Sequence, residues 1–291
     1  MSSWKLVPAL LLLACASSAP EPVPPPAPEG PETVGPPDAA WVDREVAAST
    51  ERVSKEAGGP LLLQAIDAHG GLRPWLAAGT LSFDFDYAPV DAPEKRRFTR
   101  SRVDLRSRRA VQDELGVGAD ATFGWDGTEA WIVPDATAFP SDPRFWATTP
   151  FYFVGIPWVL ADPGAHVARI DDTVIPETGV EGPLPSLKVT YGEGVGDAPD
   201  DYYILHLDPA SHRVLAVRYV VSYPGFFPEG GHSPEKILLW SGHTEVDGLL
   251  FATHYDSHPF TDAGVGALST TVAVGNVVTG RTIPVSAFSR P

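Results

Sequence analysis

The sequence predicts an α+β fold: one large, curled antiparallel sheet of about ten or eleven strands, with helices only at its front and in one insertion. Three observations carry this. From Leu81 onward, apolar residues recur with a period of two along most of the chain. Turn signals separate neighbouring runs by a few residues, so successive strands pair as hairpins and run antiparallel. Helical patterning is confined to residues 41–76 and to an apolar stretch at residues 145–160. A sheet this large has to curl or close, and a curled sheet has a concave face that needs covering. The two helical segments are the candidates for that cover.

The chain starts with the layout of a secretory signal: Lys5, an apolar run over residues 6–13, and the small Ala14. The run is far below the roughly 20 residues that span a bilayer. It closes on Leu12-Leu13-Ala14-Cys15, which holds the only cysteine in the chain. These four residues resemble the bacterial lipobox, in which the signal is cut just before a cysteine that becomes lipid-modified. The resemblance implies a signal peptide over residues 1–14 and acyl chains such as palmitate on Cys15. Three chains are implied, and at about 0.8 kcal/mol per buried methylene they hold where one alone gives marginal attachment. Ala16, not Asp, follows the cysteine, which implies an outer-membrane anchor facing the periplasm. The alternative is an ordinary signal peptide cut near Ala19, with Cys15 discarded. A lipidated Cys15 leaves no thiol for a disulfide or a nucleophile.

Residues 16–40 are dominated by Pro, Ala, Glu and Ser, including Pro24-Pro25-Pro26. Such a stretch buries too little apolar area to offset chain entropy. It reads as a tether spanning, with Cys15, residues 15–40, at about 3 Å per residue. One folded domain over residues 41–291 follows. The formal net charge is −16, and loss of the leader with Lys5 makes it more negative by one. Such a chain is a poor nucleic-acid binder, because phosphate contacts need clustered Lys and Arg. Anionic headgroups repel it as well, so broad electrostatic docking on a membrane is disfavoured.

Within the folded part, residues 41–55 read as a helix ended by Gly58-Gly59-Pro60. Pro60 suits the first turn of a second helix over residues 61–69, which Gly70-Gly71 stops. Residues 72–76 add one more turn. Leu81, Phe83, Phe85 and Tyr87 then alternate with Ser82, Asp84 and Asp86 as in a half-buried strand. Residues 95–105 and 109–115 form the next pair. Residues 122–125 and 129–133 flank the turn Asp126-Gly127-Thr128. The apolar residues 145–160, broken by Pro150 and Pro157, give helical turns and loop. Strands resume with Leu187, Val189 and Tyr191, then with Tyr203, Leu205 and Leu207. Past the turn at Asp208-Pro209, Leu215, Val217, Tyr219 and Val221 continue one face. Asp247-Gly248 suits a type I′ turn, so Val246 pairs with Leu249 and His243 lies opposite Ala252. Residues 266–278 supply the last strand.

A lipobox, a Pro-rich tether, a leading helix, long antiparallel strands and the hairpin at Trp125-Asp126-Gly127 together look like the half-barrel lipoproteins of the LolA/LolB type. The run from Pro150 to Trp158 with Asp162-Pro163-Gly164-Ala165 also resembles an uncharacterised bacterial lipoprotein family thought to share that fold. The resemblance spans roughly residues 60–280 and is a pattern of elements. It implies a half-barrel with a hydrophobic cavity between sheet and helices that holds acyl chains, and partners that are lipids or acylated proteins. It assigns no residue a role.

Aromatic side chains are the first candidates for lining such a cavity: Phe83, Phe85, Trp125, Trp131, Phe151, Phe153, Trp158, Trp240 and Phe251. The competing reading is that they fill the core. Phe226 and Phe227, in a long turn at residues 223–231, either protrude towards a membrane or client or fold back over the barrel mouth. His243, His254, Asp256 and His258 share one sheet face and match the ligand types of Zn²⁺. The opposite face, with Leu238, Trp240 and Phe251, is far more apolar, so the histidine face reads as solvated and no metal is assigned. The run of Arg96, Arg97, Arg100, Arg102, Arg106, Arg108 and Arg109 reads as neutralising the domain's own acids. No nucleophile elbow, zinc-protease motif or phosphate loop is present. The glycine-rich residues 192–196 follow a strand without a helix after them, against nucleotide binding. The expectation is therefore a binding protein without catalytic residues or cofactors. A scaffold with a filled core, or a metal-dependent hydrolase, is the alternative.

Overall fold

The computed structural model describes residues 32–116, 120–192, 194–198 and 200–291. The leader, Cys15 and most of the Pro-rich stretch lie outside the described residues. Where the description begins, β1 (Thr33–Val34) already pairs with β15 (Ile283–Pro284). That pairing falls inside the stretch read as tether.

Three helices come first. α1 (Ala39–Ser54) starts at Asp38, whose side chain accepts the Trp41 N–H at 2.9 Å. α2 (Gly59–Ala68) carries Pro60 in its first turn and buries Leu62, Ala65 and Ile66, an i, i+3, i+4 face. Gly70 and Gly71 end it with φ of 110° and 91°. Space fixes Gly70 too, since a Cβ there would fall 2.0 Å from the Gly248 carbonyl oxygen. α3 (Leu72–Ala78) follows with Leu72 and Trp75 buried.

The strands run in two meanders. The first is β2 (Thr80–Pro89), β3 (Arg97–Asp104), β4 (Ala110–Glu114), β5 (Thr122–Trp125) and β6 (Ala130–Val133). Then come α4 (Pro143–Val154) and a helical turn at Trp158–Ala161. The second is β7 (Ala165–Val174), β8 (Pro183–Tyr191), β9 (Tyr203–Leu207), β10 (Val214–Tyr219), β11 (Lys236–Val246) and β12 (Leu249–Thr261). β13 (Gly264–Val265) pairs back on β12, and β14 (Thr270–Thr279) runs between β12 and β2. Among the described residues the order is β6-β5-β4-β3-β2-β14-β12-β11-β10-β9-β8-β7, thirteen strands with β13. All neighbours are antiparallel. The edges β6 and β7 do not pair with each other, so the sheet stays open. This is the curled antiparallel sheet with a leading helix and a helical insertion that the sequence predicts.

The β11–β12 turn follows its residues. Asp247 and Gly248 have φ of 50° and 80°, Val246 faces Leu249, and His243 faces Ala252. Two details differ from the pattern. β7 is a strand the alternation does not reveal: past Val167 it exposes Arg169, Asp171 and Asp172 and is bulged between Ile170 and Thr173. Charge and a bulge are how an edge strand avoids pairing with other chains. A bulge between Val214 and Ala216 also breaks the face read through Leu215. Leu215 packs with Ala216 and Ile237 on the outer side, away from Val217 and Tyr219.

The main core lies between α2, α3, α4 and the inner face of the sheet. Ala110 belongs to it, so Val111 points outward, where it packs with Trp131, Val34 and Phe288. His69 pins the helices to the sheet. It is fully buried. Its Nδ1–H donates to the Leu250 carbonyl at 2.8 Å, and its Nε2 accepts the Val214 N–H at 3.1 Å. Its own carbonyl accepts the Leu250 N–H at 2.9 Å. Trp158 and Trp240 stand edge-on to its ring at 6.0 and 6.1 Å.

That pairing requires a neutral imidazole. Burial pushes the His69 pKa down to about 4, and burial pushes the second buried histidine, His206, down to about 3. The unfolded chain protonates both near 6.5. Their contribution is complete above pH 6.5 and is lost as pH falls from there towards the folded values. From pH 7 to pH 5 each histidine should lower stability by about 2 kcal/mol. Urea unfolding at the two pH values checks this, and an unchanged midpoint would refute it.

Candidate functional site

The inward residues of the strands are graded along the barrel. In β2 the inward set runs Phe83, Phe85, Tyr87; in β8 it runs Leu187, Val189, Tyr191; in β9 it runs Leu207, Leu205, Tyr203. The register places Tyr203 opposite both Val189 and Tyr219, and Tyr87 opposite Val272. The tyrosines therefore gather at one end. At the other, Trp75 and Trp158 stack at 4.8 Å, Phe251 packs on Trp158 at 5.2 Å, and α2 and α3 close the space.

At the tyrosine end the inner face and α4 touch through a few rings and otherwise stand apart. Between them lies an open-mouthed cavity of about 700 Å³, within the roughly 300–1,000 Å³ of small-molecule sites. Phe85, Leu238, Val272, Phe153 and Val159 give it an apolar lining. α4 is held off the sheet by ring contacts, Trp146 on Tyr87 at 5.1 Å and Phe153 on Tyr219 at 5.0 Å. Burial raises the pKa of Tyr191, Tyr203, Tyr219 and Tyr255, and that of Tyr223 reaches about 12. All five are protonated donors at neutral pH.

The charged groups that border the cavity are mostly paired. Arg108 pairs with Asp162 and lies 5.1 Å from the Phe151 ring. Burial raises the Asp162 carboxyl pKa, and Arg108 opposes that rise. Asp201 accepts the Ser222 N–H at 2.6 Å, and burial raises its pKa too. Arg144, in the first turn of α4, makes three contacts. It lies 3.8 Å from the Trp125 ring centre, donates to Thr148 Oγ1 at 3.1 Å and pairs with Asp197. A smaller pocket shares Arg144, Asp197 and Tyr223 with the main cavity and reaches Trp125.

The expected cavity residues divide. Phe85 and Phe153 line the space. Phe83, Phe151, Trp158, Trp240 and Phe251 lie in the packed core. Trp125 stands at the rim under Arg144. Trp131 lies on the outer face, its Nε1–H donating to the Phe288 carbonyl at 2.8 Å. Phe226 and Phe227 both border the cavity; Phe226 is 45% exposed and packs on Phe145 and Tyr223 at 4.8 and 5.3 Å. The turn thus folds back over the mouth. Sequence reasoning missed the tyrosine lining, although the signal was there: a tyrosine closing the inward set of successive strands.

The histidines do not converge. His254 faces Asp256 at 3.1 Å, His258 Nδ1 faces the Gly266 carbonyl at 3.0 Å, and the His243 ring sits 6.5 Å from that of His69. Among the described residues no three His, Cys, Asp or Glu side chains are placed to share a metal ion. The arginine run is largely matched by acids: Arg96 with Asp86, Arg100 with Asp84, Arg102 with Asp113.

No protein-family model matches the chain, and no curated protein does. Among solved structures it is similar to a LolA superfamily protein from Nitrosomonas europaea, at 10% identity and a TM-score of 0.49, over 80% of this chain and 98% of that one. It is similar to an outer membrane lipoprotein-sorting protein domain from Vibrio parahaemolyticus, at 11% identity and a TM-score of 0.38, over 82% and 93%. MucB, in its complex with MucA(peri), matches at 11% identity and a TM-score of 0.21, over 76% and 94%. These are likenesses of fold at low identity. They carry no ligand, partner or site residue over to this chain.

Arg144 ties α4 to the rim, so its removal should loosen the lid. Arg144→Gln is expected to lower stability by about 1–2 kcal/mol, the scale of a lost charged hydrogen bond with a ring contact. It should also speed release of an apolar dye. Urea unfolding and stopped-flow fluorescence measure the two effects; unchanged dye kinetics would remove Arg144 as a tie on the mouth.

Proposed function

We propose that this protein is an envelope lipoprotein that holds an apolar ligand, a lipid or an acylated protein, in the cavity beneath its sheet. One observation carries the reading: the inner face is packed at one end and left open over about 700 Å³ at the other. Binding there works by burial, shielding apolar chains from water without covalent chemistry. The scaffold alternative needs a filled core, and an open, aromatic-lined volume weighs against it.

The lipobox-like Leu12-Leu13-Ala14-Cys15 supplies the second part of the proposal. Lipidated at Cys15, the domain works as a fixed receptor or local handler at the outer membrane, facing the periplasm. No helix among the described residues is long and apolar enough to cross a membrane.

Two experiments test the parts separately. Native mass spectrometry of gently purified protein should show a bound lipid or acylated species, and Val221→Trp, placed at the cavity wall, should abolish it while leaving the circular dichroism intact. A protein that never carries or takes up an apolar ligand ends the binding reading. Cys15→Ser should move the protein from the membrane fraction to the soluble fraction; unchanged fractionation would refute the anchor and leave the cavity untouched.

A further inference from the structure

Six tyrosines of the strands and loops, with Tyr152 of α4, border the cavity, but their hydroxyls are not equivalent. Those of Tyr223 and Tyr255 reach protein acceptors, Asp142 Oδ2 at 3.2 Å and the Ala252 carbonyl at 3.3 Å. Tyr219 is within reach of Ser257. Among the described residues the hydroxyls of Tyr87, Tyr152, Tyr191 and Tyr203 make no hydrogen bond to a protein acceptor, unlike those of Tyr223 and Tyr255. Tyr87 packs on Trp146, whereas Tyr152, Tyr191 and Tyr203 act on one another. Tyr191 and Tyr203 are on adjacent strands with ring centres 6.3 Å apart and perpendicular, and Tyr152 comes down from α4. Tyr152 acts to raise the pKa of Tyr191, and Tyr152 and Tyr191 act together to raise that of Tyr203.

A donor without a protein partner is tolerable where water reaches it and costly once an apolar chain expels that water. A plain hydrocarbon filling this cavity would strand these donors. A chain bearing a carbonyl at that depth would pair with them. Charge narrows the choice. Asp162 and Asp201 disfavour ionisation of Tyr191, and Asp201 that of Tyr203, so a carboxylate beside these two hydroxyls would meet further acids. The arginines that act the other way on Tyr152 are Arg108 and Arg144, and Arg144 is paired with Asp197. Arg108 is already committed to Asp162.

The geometry points to Tyr152, Tyr191 and Tyr203 as a hydroxyl site that receives the neutral carbonyl of an acyl ester or amide, within the apolar cavity. This rests on the cavity-binding reading above and adds selectivity to it. The donors read the linkage of the acyl chain while the aromatic walls read its length.

Competition against a fluorescent apolar dye tests this on the full folded domain, with decane, methyl decanoate and decanoate as probes. The wild type should bind methyl decanoate about tenfold more tightly than decane, the scale of one well-made buried hydrogen bond. Decanoate should bind less tightly than the methyl ester. In Tyr191→Phe/Tyr203→Phe the ester preference should shrink to about twofold, with decane binding no weaker; the single Tyr203→Phe variant serves if the double variant unfolds. An ester preference that survives both variants, or a carboxylate that outcompetes the ester, would overturn the hydroxyl site and leave the cavity reading standing. Failure of any probe to displace the dye would overturn both. A short diacylglycerol and an N-acylated peptide carry the same carbonyl; a tyrosine-dependent advantage for either upholds the site and shows which source it prefers.

Discussion

The pairing of β14 with β2 makes one sheet out of two. Every other neighbouring pair in the row joins strands that follow each other in the chain, apart from the small side strand β13. Only β14–β2 brings residues of the first meander against the second, with Val272 opposite Tyr87 and Val274 opposite Phe85. Once it forms, the remaining free edges are β6 and β7, at opposite ends of the row. The chain between them has to pass from one edge to the other, and its apolar residues, Phe151, Val154 and Trp158 among them, belong to the inner core. The sheet is thus closed covalently, by α4 and the turn after it, where hydrogen bonding leaves it open. The lid over the cavity is a consequence of strand order.

The two ends of the half-barrel solve different problems. At the packed end His69 sets the distance between helix and sheet, and the indoles of Trp158 and Trp240 stand edge-on against it. Even there the indole N–H groups of Trp158 and Trp240 find no conventional acceptor, which shows how little polarity that core can satisfy. A tyrosine in the same place would add another unpaired donor. At the open end a tyrosine is the better choice, because its ring extends the apolar wall and its hydroxyl meets water or ligand. The grading from Phe and Leu to Tyr along β2, β8 and β9 marks the boundary between core and cavity.

That grading also explains what was legible in the sequence. Helices, most strands and the β11–β12 register followed from local patterns: Pro60 and Gly70-Gly71 around α2, Asp247-Gly248 between paired runs. β7 escaped because an edge strand needs no alternation, and Arg169, Asp171 and Asp172 erased what little there was. The cavity itself was expected from the fold that such a pattern implies, but its lining was sought among the largest apolar rings. Phe83, Phe151, Trp158, Trp240 and Phe251 are buried for the very property that selected them. Locating the tyrosines together needed the registers of β8, β9 and β10, which are set by pairings no single segment contains.

The openness of the space decides how it is occupied. A polar-edged pocket of about 700 Å³ with a mouth on solvent admits water until a ligand replaces it, and the polar groups that make water acceptable are the charged groups along its border and the free tyrosine hydroxyls. Those same hydroxyls set the terms for whatever replaces the water. An apolar chain gains from the aromatic wall, yet it must leave every donor it uncovers with an acceptor. The property that lets the domain stand empty is the one that makes it selective when filled.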